Sequence, residues 1–259
     1  MGILFDLSER NSPTKNMDKS LKTAGIVGFK NSGKTSLLNN LAHELTARGY
    51  SISTVKHTSC ELDLPETDTA RHRQFAHQAA AISPKESAIF FRGNMNLEEM
   101  LNYVKADFVL IEGFKKEKTY PKIVCLRPGD DPEALLDGLE ICLVGALSDV
   151  QMGLNVPILD AERDISRIAR LVEEKAFKLP NLDCGACGYN TCYELALQII
   201  SGNKTIADCR SLNADVEIKI DDRIMPAKPF ISDLVRNTIT GLLSSLKGYR
   251  KGKIEIKIE

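Results

Sequence analysis

The sequence predicts an α/β fold: a mostly parallel sheet flanked by helices, followed by a small cysteine-rich module and a short α+β tail. Three observations predict it. Short apolar runs alternate with amphipathic stretches between Thr23 and Phe177, the pattern of strands joined by crossover helices. A glycine-rich segment ending in Gly33-Lys34-Thr35 occupies the first strand-to-helix turn. A break at Leu179-Pro180-Asn181 precedes a run of cysteines from Cys184 to Cys209.

Residues 1–21 read as a loose leader, polar and aperiodic from residue 8 with Pro13 inside it, and Met17 is an alternative start. The α/β body spans 22–178, the cysteine module 179–212 and the tail 213–259. Strands are expected at Ala24–Val27, Ile52–Val55, Ala88–Phe91, Phe108–Ile111, Ile123–Leu126 and Ile141–Val144. Leu37, Leu38, Leu41 and Leu45 recur at helical spacing, and Gly49 is the stop signal. Asp164–Phe177 repeats that pattern with Ile165, Ile168, Ala169 and Val172. Tyr193–Ser201 reads as a helix that buries Leu195, Ala196, Ile199 and Ile200 and ends at Gly202. In the tail, Val216–Ile220 and Ile254–Ile258 alternate like strands. Phe230–Leu246 is expected to be a helix with Ile231, Leu234, Val235, Ile239, Leu242 and Leu243 on one side.

Composition narrows the partners. The chain has 259 residues, enough for one large domain or two small ones, and 43% of them are hydrophobic, enough for a core. Lys and Arg number 34 against 35 Asp and Glu, so no net charge draws the whole protein to nucleic acid or anionic membrane. Seven cysteines, an odd count, do not form a secreted disulfide framework. No apolar run approaches a membrane span, and the N-terminal apolar patch is too short and acidic for a signal peptide. These features predict a cytoplasmic protein without nucleic-acid or membrane partners.

Gly28-Phe29-Lys30-Asn31-Ser32-Gly33-Lys34-Thr35 fits the phosphate-binding pattern G-x-x-x-x-G-K-[ST], followed by Ser36. Its glycines let backbone N–H groups curl around a phosphate, and the following helix adds its positive end. Lys34 is expected to neutralise phosphate oxygens and Thr35 to ligate Mg²⁺. A second metal-side acid is expected at Glu112, which ends the apolar run Phe108–Ile111 beside Gly113; Asp63 and Asp68 are the alternatives. The Asn-Lys-x-Asp signature of common GTPases is absent. Ser148-Asp149, after the Ile141–Val144 strand, offers a carboxylate for guanine N1–H and N2, or equally a turn or helix cap.

The stretch from Gly25 to Phe177 resembles the B-protein family of molybdopterin-guanine dinucleotide biosynthesis (MobB). The motifs that carry the resemblance are the loop at Gly28–Thr35, Val55-Lys56-His57-Thr58, Asp68-Thr69-Ala70-Arg71-His72-Arg73, Val109-Leu110-Ile111-Glu112-Gly113-Phe114-Lys115, Pro121-Lys122-Ile123-Val124 and Ala146-Leu147-Ser148-Asp149. The resemblance implies a GTP-binding, weakly GTP-hydrolysing homodimer. It would serve as adaptor to the MobA-type guanylyltransferase of the molybdenum cofactor pathway. It places Gly28, Asn31, Ser32, Gly33, Lys34, Thr35, Ser36, Glu112, Ser148 and Asp149 around the nucleotide. Lys56, His57, Asp63, Asp68, Arg71, Arg73 and Lys115 would line the site or a partner surface. The chain departs from the family at Ser59-Cys60, where further histidines are common, and at Leu64-Pro65-Glu66-Thr67.

Cys184, Cys187, Cys192 and Cys209 form the ladder C-x2-C-x4-C-x16-C. Four soft thiolates on a glycine-rich turn and a helix suit iron–sulfur or zinc. Cys184-Gly185-Ala186-Cys187-Gly188, continuing to Cys192, resembles the small [4Fe-4S] module of electron-transfer subunits and corrinoid iron–sulfur proteins, which implies that cluster. Cys60, Cys125 and Cys142 read as a loop thiol or buried small hydrophobes. The alternative reading of the whole chain is a redox-coupled nucleotide switch or electron-transfer accessory protein.

Overall fold

The computed structural model describes residues 21–60, 62, 66–145, 156–213, 216, 218–220, 223–225, 227–250 and 252–256. Apart from Leu21, the expected leader lies outside them. β1 (Lys22–Gly28) leads through the glycine-rich turn into α1 (Lys34–Ala47) and back to β2 (Ile52–Lys56). There follow α2 (Asp68–Arg73), β3 (Gln78–Ile82), β4 (Ser87–Phe91), α3 (Leu97–Leu101), β5 (Phe108–Glu112), β6 (Lys122–Cys125), β7 (Glu140–Val144), β8 (Ile158–Leu159) and α4 (Ile165–Lys175). The remainder carries α5 (Cys192–Ile200), a 3₁₀ turn at Ile206–Asp208, β9 (Ile218–Ile220), β10 (Arg223–Met225) and α6 (Pro229–Ser244).

Six strands form one parallel sheet in the order β2-β5-β1-β6-β7-β8. Alternation along the strands sorts its two faces. Ala24, Ile26, Phe108, Leu110, Ile123 and Cys125 meet the α1 leucines and Ile168, Ala169 and Val172 of α4. On the other face, Val27, Val124 and Leu143 pack with Leu126 and Leu135, while Val55, Val109, Ile111 and Tyr120 pack with Leu97 of α3. One face is thus roofed by long helices and the other by a short helix and connecting segments. Arg48 ties α1 to α4 through Glu173 Oε2 at 2.8 Å and the Ser166 carbonyl at 2.8 Å. α1 stops where expected: Gly49 has φ +91° and its N–H donates to the Thr46 carbonyl at 2.9 Å.

Several elements differ from the sequence expectation or add to it. Ala88–Phe91 does form a strand, but in a separate antiparallel hairpin with β3, which the alanine-rich run Gln78–Ile82 did not signal. Ile89 is 61% exposed, so this strand has no place in a doubly covered parallel sheet. β8 is only two residues long and β10 three, below the length at which periodicity is readable. The α6 helix forms, yet Ile231, Leu234 and Leu242 on its apolar side are exposed among the described residues. Residues 252–256 contain no strand, so the described part of Ile254–Ile258 is not the final strand expected there.

Cys125 and Cys142 sit in the sheet as small hydrophobes. Burial pushes each thiol from an ordinary value of 9.0 up to about 12. Between those values the folded chain keeps protons that the unfolded chain has lost, so stability must fall as pH rises from 9 towards 12. Each thiol contributes a slope of about 1.4 kcal/mol per pH unit. The free-energy gap between wild type and Cys142→Ala should therefore narrow across that window in urea titrations; a constant gap would refute the assignment.

Candidate functional site

The carboxyl edge of the sheet gathers the predicted loop and its acid. Ile26 of β1 and Lys56 of β2 are both in register with Glu112 of β5, so β2 and β5 end level with each other, two residues before β1 runs into the turn. α1 begins immediately after Gly33, and its first two residues are Lys34 and Thr35. Thr35 Oγ1 donates to the Glu112 carboxylate at 3.1 and 3.0 Å. Lys56 Nζ lies 3.2 Å from Glu112 Oε1. Glu112 is only 7% exposed, and these two neighbours answer the cost of burying its charge.

Lys34 Nζ donates across the turn to the Phe29 carbonyl, with Ser32 Oγ at 3.5 Å. Burial holds the Lys34 ammonium below its ordinary pKa, and the nearby Lys115 and Lys56 act in the same direction, while Cys125 and Glu112 oppose them. Lys115 Nζ stands over the Phe29 ring at 4.6 Å. Three lysines and one carboxylate thus surround the first turn of α1, a positive field where a helix N-terminus already favours anions. His57 is fixed beside them: its N–H donates to the Glu112 carbonyl at 2.9 Å and its ring lies 4.6 Å from that of Phe114.

Other predicted residues lie elsewhere. Asp68, Arg71 and Arg73 belong to α2, with Arg71 3.6 Å from Asp68 and the Arg73 guanidinium 5.0 Å from the Phe90 ring. They are organised by the hairpin rather than by the glycine-rich turn. Asp63, Ser148 and Asp149 lie outside the described residues. The sequence reading missed a cleft of about 420 Å³ beside the turn, lined by Phe29, Lys30, Arg127, Gly129, Asp130 and Asp131. Arg127 and Asp130 close its rim with a 2.9 Å ion pair. Their place just beyond β6, at the carboxyl edge, was the available signal.

The four module cysteines occupy a second site. Cys192 opens α5, where Thr191 caps the helix by accepting the Glu194 N–H at 3.2 Å. Cys209 follows the 3₁₀ turn. Both are buried, and burial raises both thiols. Backbone N–H groups of Asp183 and Leu182 oppose that rise at Cys192, and those of Leu212 and Ser211 oppose it at Cys209. Cys209 also feels Cys192 and Cys184 electrostatically, and each raises its thiol further. Cys184 and Cys187 are half-exposed, with Cys184 Sγ 3.6 Å from Ser211 Oγ. Among the described residues, no three His, Cys, Asp or Glu side chains are drawn together as ligands of a single metal ion.

A family model described as "Molybdopterin guanine dinucleotide synthesis protein B" matches residues 23–146. A second, described as "Putative Fe-S cluster", matches residues 179–211. A Methanocaldococcus jannaschii protein described as a "Putative molybdopterin-guanine dinucleotide biosynthesis adapter protein" is 32% identical over 248 residues, 92% of this chain and 97% of that one. The molybdopterin-guanine dinucleotide biosynthesis adapter protein of Escherichia coli is 29% identical over 161 residues, 58% of this chain and 90% of that one. The crystal structure of Bacillus subtilis MobB matches with 24% identity and a TM-score of 0.48, over 60% of this chain and 98% of that one.

The close approach at Gly28 sets a direct test of the loop geometry. A Cβ there would lie 2.4 Å from Ser32 Oγ and 2.5 Å from the Cys125 carbonyl oxygen. Because one of these atoms is backbone, Gly28→Ala should destabilise the fold by about 1–3 kcal/mol in urea denaturation. Wild-type stability in that variant would show that the loop does not pack against β6 as described.

Proposed function

Because the chain belongs to the MobB family of molybdopterin-guanine dinucleotide biosynthesis adapters, we propose that it is a GTP-binding adaptor to a MobA-type guanylyltransferase, a weak GTPase that works as a homodimer and carries an iron–sulfur cluster. The observation that carries the nucleotide reading is the Thr35–Glu112 pair, a hydroxyl in the first turn of α1 against the acid that ends β5. A hydroxyl and a carboxylate at that spacing present two oxygens to one Mg²⁺, in the manner of a P-loop Thr and a Walker B acid. The N–H groups of the turn from Gly28 through Asn31, Ser32 and Gly33 to Thr35 and Ser36 would cradle the phosphates, with Lys34 as the principal cation. Lys56, Lys115 and His57 flank that position, and Ser148 and Asp149 are proposed for the guanine edge.

The cluster is proposed as [4Fe-4S] on Cys184, Cys187, Cys192 and Cys209. The donor set fits it: four thiols, one at a helix N-terminus, with backbone N–H groups aimed at two of the sulfurs. Such N–H groups stabilise thiolate ligands and tune reduction potential. A bound cluster would supply one-electron chemistry or structural bracing.

Two measurements test these assignments separately. Lys34→Ala should weaken GTP binding about tenfold or more, the equivalent of one charge-assisted hydrogen bond; an unchanged titration would contradict the phosphate site. Anaerobically purified wild type should contain iron and acid-labile sulfide that Cys187→Ser lacks. One zinc per chain in place of iron would end the cluster assignment.

A further inference from the structure

We infer that the connection from Gly113 to Pro121 couples the cysteine module to the phosphate loop, so that the module's occupancy sets nucleotide affinity. The inference rests on the nucleotide and cluster assignments just given. β5 ends at Glu112, where the glycine-rich turn lies, and β6 begins at Lys122, which Gly25 of β1 places level with Ile111. Since β1 lies between the two strands in the sheet, the residues joining them must pass across β1. One end of this short connection belongs to the candidate nucleotide site, through Glu112 and through Lys115 over the Phe29 ring.

The other end is held by the cysteine module and the segment leading into it. Lys118 Nζ stands 4.2 Å from the ring centroid of Tyr193, the residue after Cys192. The Thr119 carbonyl accepts the Leu179 N–H at 2.8 Å, and Thr119 Oγ1 accepts from the buried Lys178 ammonium at 2.9 Å. A second route reinforces the first. Tyr193 O–H donates to the Asp137 carbonyl at 2.5 Å. The Asp137 carboxylate pairs with Lys122 Nζ at 2.5 Å, and Lys122 Nζ donates back to the Lys115 carbonyl at 2.9 Å.

These links have little slack. Lys122 is fully buried, so its ammonium cannot leave Asp137 and the Lys115 carbonyl without remaining unpaired. The turn at Asp137-Gly138 is braced by Glu140, whose carboxylate accepts both backbone N–H groups. Leu197 of α5 presses on that turn so closely that a Cβ on Gly138 would lie 2.7 Å from Leu197 Cδ2. A shift of α5, which carries Cys192, therefore moves the turn, Lys122 and the Lys115 backbone together.

The test is a fluorescence titration with mant-GDP on full-length protein, as purified anaerobically with iron and after removal of iron by chelation under oxidising conditions. Wild type should bind mant-GDP about fivefold or more weakly once stripped, the low end of ordinary coupling between two sites. The double variant Tyr193→Phe/Lys118→Met removes one hydroxyl and one cation outside both sites. With iron content unchanged, its loaded-to-stripped ratio should fall towards one. Lys118→Met alone, which leaves the residue beside Cys192 intact, should lower the ratio part of the way. Equal affinity in loaded and stripped wild type, or a full ratio in both variants, would overturn the coupling while leaving the two site assignments standing. Failure of every form to bind mant-GDP would overturn the nucleotide assignment and the coupling with it.

Discussion

A single buried cation organises the middle of this molecule. Lys122 is 0% exposed, and taking an ammonium out of water costs several kcal/mol unless it is closely paired. Asp137 and the Lys115 carbonyl supply that pairing from two different connections, one after β5 and one before β7. The chain must bring both to the amino end of β6 or leave a charge stranded. Asp137 is in turn fixed by its neighbours: its N–H donates to Glu140 and its carbonyl accepts from Tyr193. Satisfying that one charge fixes the course of the β5-to-β6 connection and ties it, through Asp137, to Tyr193 of the cysteine module.

Around Glu112, register does the equivalent work. Parallel pairing of β1 and β2 with β5 brings Ile26 and Lys56 level with Glu112. A shift of one residue would turn the carboxylate to the other face of the sheet, away from Thr35 and Lys56. Register is held by the alternation of Phe108, Leu110 and Glu112 with Val109 and Ile111, whose two sets are buried against different clusters. The apolar residues of β5 thus place its one charged side chain.

Most of the sheet was legible because each strand signals itself through branched apolar residues, and five of the six sheet strands fell within a residue or two of their expected ends. The glycine-rich turn and Glu112 were legible for the same reason: phosphate chemistry needs fixed residue types at fixed offsets. The hairpin of β3 and β4 was half-legible. Phe90 and Phe91 mark a strand, but Ala79, Ala80 and Ala81 opposite them carry no preference for extended structure. The α6 helix shows the limit of periodicity, which reports an apolar side and not whether anything covers it. The Lys122–Asp137 pair was invisible, because nothing in a sequence links a strand-end lysine to an acid fifteen positions later. Asp130 and Arg127 were hidden for the opposite reason: charged residues in a loop look like any solvated turn.

Size explains why the cysteine module leans on the body at all. A segment matching a family model over residues 179–211 is shorter than the roughly 40 residues below which chains seldom bury enough apolar surface to fold unaided. It has two remedies, and both are present. It borrows apolar surface: Leu139, from just before β7, and Phe177, from beyond α4, complete the cluster around Leu179, Leu195 and Ala196. It also gathers four thiols, whose binding to iron would add folding free energy directly. The same borrowed contacts that stabilise the module bring Tyr193 against Asp137 and Lys118, and so against the connection that starts at Glu112. A module large enough to fold alone could have hung from a linker. One this small has to share its core with the α/β body, and the chain of contacts between the two candidate sites is a consequence of that sharing.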